Sequence, residues 1–308
     1  MRDWLFLALG IFMLYGGGEV LVRSAVKLAL QLRLSPIFIG LTIVAFGTSA
    51  PELAATLVAS FKGAGAVAFG NVVGSNIANL GLVLGLVTLL RPVRTTTQFV
   101  TQEVPFMVFT GLLLFFFARD GFLGRLEGLV FLAFLFAFLF LLWRRDSQIE
   151  LLETPPPRSA RAIIYHLAGT CLGIALLSWG ADVLIEGAVG IARHFGISER
   201  VIGLTLVAVG TSLPELVSTL VAAYRRANEL ILGNIIGSNI MNVLAILGVT
   251  SSIKPFAFEK KGIFLDLSVM MGFFLLSWFM LFQGRYLGRL KGGLLFFCYL
   301  VYIFVLYR

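Results

Sequence analysis

The chain has 308 residues, of which 59% are hydrophobic and only 13% are charged, and its mean hydropathy is +0.97. A water-soluble domain of this size needs far more charge to cover its surface, so the composition excludes a soluble enzyme and indicates an integral membrane protein. The net charge of +8 is scattered over the predicted loops. This distribution favours contact with anionic lipid headgroups over a nucleic-acid site.

Apolar runs long enough to cross a membrane as helices fill nearly the whole sequence. They do not alternate apolar and polar residues as a β-barrel does, and the first run lacks a signal-peptide cleavage pattern. We therefore predict an all-α polytopic membrane protein. Its ten transmembrane helices are expected at 4–30, 36–60, 67–90, 103–118, 122–143, 162–192, 199–223, 230–252, 262–282 and 288–306.

An internal repeat divides the chain into two halves of five spans each. Five is an odd number, so the second half enters the membrane from the opposite face, and the two repeats are predicted to be inverted around a midplane site with broken helices. The predicted domains are a first repeat at 1–143 with its motif at 40–85, a polar Pro-rich linker at 144–161, and a second repeat at 162–308 with its motif at 203–248.

The predicted orientation follows from the positively charged residues. Loops after the odd-numbered spans, together with adjoining helix ends, hold the larger share of Lys and Arg. The positive-inside rule then places both termini outside the cell membrane and the linker in the cytoplasm.

A carboxylate interrupts the second span in the string GTSAPEL at 47–53, and the seventh in the string GTSLPEL at 210–216. A charge at membrane depth costs at least a few kcal/mol, and two facing carboxylates repel each other unless a cation lies between them. The alternative is that Glu52 and Glu215 only cap helix starts, because Ser49 and Glu52 have capping-box spacing. Since both copies keep Glu, we favour a cation site.

The proline of each motif predicts a broken helix. Pro51 has no N–H, so the Gly47 carbonyl loses its helical partner, and we expect carbonyls near Ala45 and Gly47 to be free to face a ligand. Pro214 acts on Gly210 in the same way. Irregular backbone at this depth survives only beside protein or a polar cavity.

The third and eighth spans carry the strings GNVVGSNIAN at 70–79 and GNIIGSNIMN at 233–242. Four side chains are predicted as further oxygen ligands: Ser75, Ser238, Asn79 and Asn242. Four others are either ligands or interhelical hydrogen-bonding groups: Asn71, Asn76, Asn234 and Asn239. An all-oxygen set suits calcium, sodium or magnesium. Two carboxylates neutralise one divalent ion or partly neutralise several sodium ions, which is a physical basis for exchange.

These motifs resemble the two α-repeats of the cation/calcium exchanger superfamily, above all those of prokaryotic sodium/calcium exchangers. The resemblance implies two gating helices that slide past an eight-helix core, Na⁺ and Ca²⁺ as transported ions, no cofactor and no catalytic activity. It also implies the ion ligands Glu52, Glu215, Thr48, Thr211, Ser49, Ser212, Ser75, Ser238, Asn79 and Asn242, with the backbone carbonyls of Ala45 and Ala208. In part of the superfamily the position of Asn242 is Asp.

The leading hypothesis is antiport of Ca²⁺ against Na⁺ by alternating access, with membrane lipid around the protein and no obligate protein partner. One alternative is H⁺/Ca²⁺ antiport or K⁺-dependent Na⁺/Ca²⁺ antiport, which would use the same carboxylates. Another is a membrane protein that binds cations without transporting them. No activated Ser, Cys or His accompanies the carboxylates, which argues against an enzyme.

Overall fold

The computed structural model describes residues 2–146, 159–196 and 210–306, and these residues are mainly helical. The first stretch contains α1 (Arg2–Leu32), α2 (Pro36–Ile39), α3 (Ala45–Thr48), α4 (Ala50–Phe61), α5 (Gly65–Ala78), α6 (Gly85–Leu90), α7 (Thr97–Thr101), α8 (Glu103–Phe117) and α9 (Arg125–Asp146). The other two contain α10 (Ala160–His194), α11 (Leu213–Tyr224), α12 (Asn228–Met241), α13 (Gly248–Ile253), α14 (Lys260–Phe282) and α15 (Arg289–Leu306).

In the described parts of the chain, three π-helical segments join neighbouring α-helices without a loop. They are Gly40–Val44 between α2 and α3, Asn79–Leu84 between α5 and α6, and Asn242–Leu247 between α12 and α13. The last two each begin at an asparagine that the sequence predicts as an ion ligand. Single π-turns inside α-helices are frequent at functional sites.

Eight helical stretches among the described residues are long and apolar enough to cross a membrane, and the bent pair Pro36–Thr48 and Ala50–Phe61 makes a ninth. This confirms a multi-pass helical membrane protein. Helix α11 is apolar but shorter. It forms the second part of the predicted seventh span, and the first part of that span, up to residue 209, lies outside the described residues. The predicted count of ten spans and the inversion of the repeats therefore stay predictions.

Helices α1 and α10 pack closely because glycines line their contact. A Cβ atom added to Gly173 would lie 2.6 Å from the Leu21 nitrogen, and one added to Gly187 would lie 2.5 Å from the Leu7 nitrogen. Small residues let two backbones approach in this way in membranes. The two longest described helices thus form one tight pair.

Within the described residues, four two-residue strands connect helix ends that are distant in sequence. Strand β1 (Val93–Arg94) pairs antiparallel with β4 (Tyr286–Leu287), and β2 (Phe122–Leu123) pairs antiparallel with β3 (Phe256–Ala257). The predicted fifth span therefore begins as a strand and becomes helical only at Arg125. Both ladders join the first predicted half of the chain to the second.

Candidate cation site

The second span breaks at Ser49, as the proline predicts. Helix α3 ends at Thr48, and α4 begins at Ala50 with Pro51 in its first turn. The stretch Pro36–Thr48 and the stretch Ala50–Phe61 are bent by 44° relative to each other. Ser49 has φ −86° and ψ 8°, and Ser212, at the start of α11, has nearly the same conformation with φ −88° and ψ 3°. The two motifs thus share one backbone conformation.

The alternative capping role of Ser49, which the sequence spacing allows, is not observed. Its side chain makes no capping hydrogen bond to α4, and its hydroxyl instead donates to Oε1 of Glu215 at 3.2 Å. Ser212 likewise makes no side-chain cap to α11. A carboxylate acceptor forms a stronger, charge-assisted bond than a neutral carbonyl, so the hydroxyl of one motif binds the acid of the other.

The carbonyls of Ala45 and Gly47 behave differently at the break. The Ala45 carbonyl accepts the Ser49 N–H at 3.1 Å and the Thr48 hydroxyl at 3.3 Å, and the Ser49 N–H also reaches the Gly47 carbonyl. The Ala45 carbonyl thus keeps its ordinary helical bond, whereas the Gly47 carbonyl has lost its helical partner at Pro51. Ala45 stays a predicted ligand, and Ala208 lies outside the described residues.

The two acidic side chains are buried close to the break in the second span. Glu52 and Glu215 are each only 1% exposed, and Ser49, three residues before Glu52, binds Glu215. Ser75 hydrogen-bonds to the Glu52 carboxyl group, and Ser49 hydrogen-bonds to the Glu215 carboxyl group. Each half of the chain thus supplies one carboxylate to a single buried polar cluster.

Several buried oxygen atoms of the repeated motifs have no hydrogen-bond partner among the described residues. They include Oε2 of Glu52, Oε2 of Glu215, Oδ1 of Asn79, Oδ1 of Asn239, Oδ1 of Asn242 and Oγ of Ser238. Buried polar atoms in proteins are nearly always partnered, and an exception calls for an explanation such as a bound ion. Oxygens of this kind suit a hard cation such as Ca²⁺ or Na⁺.

The remaining predicted ligands with described positions lie at the same two breaks. Thr48 and Ser212 are buried, with 0% and 2% exposure, and Thr211 is half-buried. No group of three or more His, Cys, Asp or Glu side chains able to hold a metal occurs in the described part of the chain. The cluster is therefore two carboxylates supplemented by neutral oxygens.

Asn71 and Asn234 hold the broken helices in place. The Asn71 amide donates to the backbone carbonyl of Glu52 at 3.2 Å and to the Thr56 hydroxyl at 2.9 Å. The Asn234 amide donates to the hydroxyls of Ser218 and Thr219. Of the two roles left open by the sequence, the interhelical hydrogen bond is the one observed for both.

Asn76 also takes the interhelical role that the sequence left open for it. The Asn242 amide donates to Oδ1 of Asn76 at 3.0 Å, and the Asn76 amide in turn reaches the Met270 sulfur at 3.5 Å. Both asparagines are fully buried. Asn76 thus holds the Asn242 nitrogen, while the Asn242 oxygen has no partner among the described residues.

The sequence matches the profile of the family described as sodium/calcium exchanger protein over residues 2–144 and 165–308. The chain belongs to the sodium/calcium exchanger family. The family consists of transporters and is not a class of catalytic enzymes. The prediction of cation exchange is confirmed at the level of the family.

Full-length relatives and solved structures agree with this assignment. The exchanger is 38% identical to the protein CaxA of Alkalimonas amylolytica over 315 residues, covering 98% of each chain. It is 33% identical to the sodium/calcium exchanger MaX1 of Methanosarcina acetivorans over 351 residues, covering 99% of this chain and 98% of MaX1. A structure of the sodium–calcium exchanger NCX_Mj, soaked with 10 mM Na⁺ and no Ca²⁺, matches it with a TM-score of 0.87, 30% identity and 98% coverage of both chains.

Replacing Asn76 by leucine should weaken ion binding by the exchanger without removing a proposed ligand. The Asn242 amide loses its acceptor, and the loss of such a supporting contact costs about 10- to 100-fold in metal affinity. Ca²⁺ affinity is measured by calorimetry on the purified protein. Thr88→Val is the matched control, because Thr88 is equally buried but donates only to carbonyls of its own span, Leu84 and Gly85. An unchanged affinity in Asn76→Leu would contradict the positioning role.

Proposed function

We propose that the protein is a secondary antiporter that exchanges Ca²⁺ for Na⁺ by alternating access, with both ions using one site between the two halves of the chain. The observation that carries this proposal is the pair of buried carboxylates, Glu52 and Glu215, together with the buried, unpartnered oxygens of the same motifs. Two negative charges at membrane depth are stable only when cations balance them. When the site opens to the other side of the membrane, one set of bound cations must therefore be replaced by another.

The proposed ligands are those of the sequence analysis. Glu52 and Glu215 supply the charge, and the other oxygens come from Thr48, Thr211, Ser49, Ser212, Ser75, Ser238, Asn79, Asn242 and the carbonyls of Ala45 and Ala208. One Ca²⁺ neutralises both carboxylates, whereas each Na⁺ neutralises one. Because the two loads need the same oxygens, binding of one excludes the other.

The proposed architecture has ten transmembrane helices in two inverted five-helix repeats. The repeats are 1–143 and 162–308, joined by the linker at 144–161. Matching backbone conformations at Ser49 and Ser212 support this repeat, as do the two π-segments that begin at Asn79 and Asn242. We place the protein in the cell membrane with both termini outside, without a cofactor or an obligate protein partner.

The test is ion flux in proteoliposomes that contain the purified protein. With Na⁺ inside and none outside, radioactive Ca²⁺ is expected to accumulate, and the uptake should cease when Na⁺ is equal on both sides. Uptake driven by a proton gradient without Na⁺ would instead assign H⁺/Ca²⁺ antiport, and uptake that needs added K⁺ would assign the K⁺-dependent reaction. Ca²⁺ binding without any flux would leave only a non-transporting cation-binding protein.

A further inference from the structure

A second polar cavity lies far from the carboxylate pair, between the end of α1 and the start of α10. It is a groove of about 480 Å³, and none of its lining residues is acidic. Its polar part is formed by Arg23, Ser24, Lys27 and His166, and its apolar part includes Val20 and Leu172. The groove thus combines a basic end with an apolar end.

The charges around this groove sum to a positive value. Arg23 pairs with Glu19 at 2.6 Å, but Glu19 is shared with Arg225. Arg23, Arg225 and Lys27 together carry three positive charges. The Glu19 carboxylate carries one negative charge, so the net charge is +2. Lys27 is exposed and makes no ion pair with another described residue. This end of the groove therefore attracts anions.

Neighbouring contacts place the groove near a membrane surface. Arg225 directly follows the last residue of α11, so its ion pair with Glu19 marks the level at which that helix ends. The next residues of α1 after this level are those of the groove. Tyr165, another lining residue, is 73% exposed, as is typical of aromatic side chains at the boundary between lipid and water.

The apolar end faces away from this surface and toward the membrane interior. Val20 precedes Arg23 by one helical turn on α1, and Leu172 lies beyond Gly169 on α10, where it is 54% exposed. At Gly169 the side chain of Ser24 takes the space that a Cβ atom would need, 2.4 Å from its oxygen. The two helices therefore approach closely within the groove, which has its polar groups toward the surface and its apolar groups toward lipid depth.

We propose that this groove binds one anionic glycerophospholipid, with the phosphate on Arg23 and Lys27 and an acyl chain along Val20 and Leu172. Basic pockets between transmembrane helices are suited to lipid headgroups of this kind, and the stems of Arg and Lys can lie along the chain. A free phosphate ion would satisfy only the basic end. The apolar end and its exposure toward lipid favour a membrane lipid as the occupant.

The test counts lipids retained by the intact exchanger. The purified protein is equilibrated with equal amounts of phosphatidylglycerol and phosphatidylcholine, and bound molecules are resolved by native mass spectrometry. Phosphatidylglycerol should be retained preferentially. Lys27→Gln should weaken its retention about fivefold, Lys27→Arg should restore it, and Ala168→Trp should lower it without a change of charge, because Ala168 also lines the groove.

Lys62→Gln is the matched control, since it removes the same charge from an exposed position at the end of α4 and should leave retention unchanged. An equal loss in Lys62→Gln would overturn the proposal, because retention would then reflect the overall charge of the protein. Displacement of the signal by inorganic phosphate or glycerol 3-phosphate would overturn the choice of lipid. Equal retention of the two phospholipids would overturn the site itself. These measurements do not depend on ion transport, so a negative result would leave the proposed exchange function untouched.

Discussion

Glu52→Gln and Glu215→Gln should each abolish Na⁺-driven Ca²⁺ uptake. Glutamine keeps the size and one acceptor oxygen of the side chain but removes its charge, so one carboxylate must balance a divalent ion alone. Truncating one partner of a buried, hydrogen-bonded charge pair costs about 2–5 kcal/mol, which weakens Ca²⁺ binding by at least about 30-fold. Uptake is measured in proteoliposomes, and affinity by calorimetry.

The control for this pair is Glu186→Gln. Glu186 lies on α10 and pairs with Arg2 in an ion pair whose carboxylate side chain is 57% exposed, and exposed pairs contribute little to stability. Its replacement removes the same charge from the chain, and uptake should stay near the wild-type rate. Wild-type uptake by Glu52→Gln would contradict the assignment of this residue to the ion site.

Gly17→Val should destabilise the exchanger, because it forces α1 away from α10. A Cβ atom at Gly17 would lie 2.8 Å from the Leu176 Cβ and 2.9 Å from the Leu177 nitrogen, and the latter is backbone that cannot swing aside. Overpacking of this kind costs about 1–3 kcal/mol. We expect the melting temperature of the purified protein to fall by roughly 5–10 °C, measured by the loss of monodisperse protein on heating.

The neighbouring glycine is a matched control. At Gly16 no atom of the described residues lies within 4 Å of an added Cβ, so Gly16→Val carries the same helix-propensity cost without the contact with α10. Its melting temperature should stay within a few degrees of wild type. Equal destabilisation by the two substitutions would show that glycine is needed at Gly17 for helix conformation and not for packing against α10.

The breaks in the spans were predictable because they depend on local chemistry. Pro51 cannot donate an N–H, and this holds whatever surrounds it. The partner of Ser49 was not predictable in the same way. Ser49 and Glu52 have capping-box spacing, but the hydroxyl binds Glu215, which is 166 residues away. A pattern within one helix cannot reveal which distant group competes for the same donor.

The asparagines make the same point. Four-residue spacing places Asn71, Ser75 and Asn79 on one helix face, but it does not say which asparagine meets the cluster and which meets a neighbouring helix. The bond from Asn242 to Asn76 also joins residues 166 apart. The π-segments that begin at Asn79 and Asn242 have no residue-type signal, since they depend on how the helix packs.

Competition between Na⁺ and Ca²⁺ for one pair of carboxylates is tested most directly by equilibrium binding of radioactive Ca²⁺ to the purified wild-type protein at rising Na⁺ concentrations. A shared site requires the apparent Kd for Ca²⁺ to rise steadily with Na⁺, while the number of bound Ca²⁺ at saturation stays constant. Choline chloride at the same ionic strength should leave the Kd unchanged. A Kd for Ca²⁺ that does not respond to Na⁺ would contradict a site used by both ions.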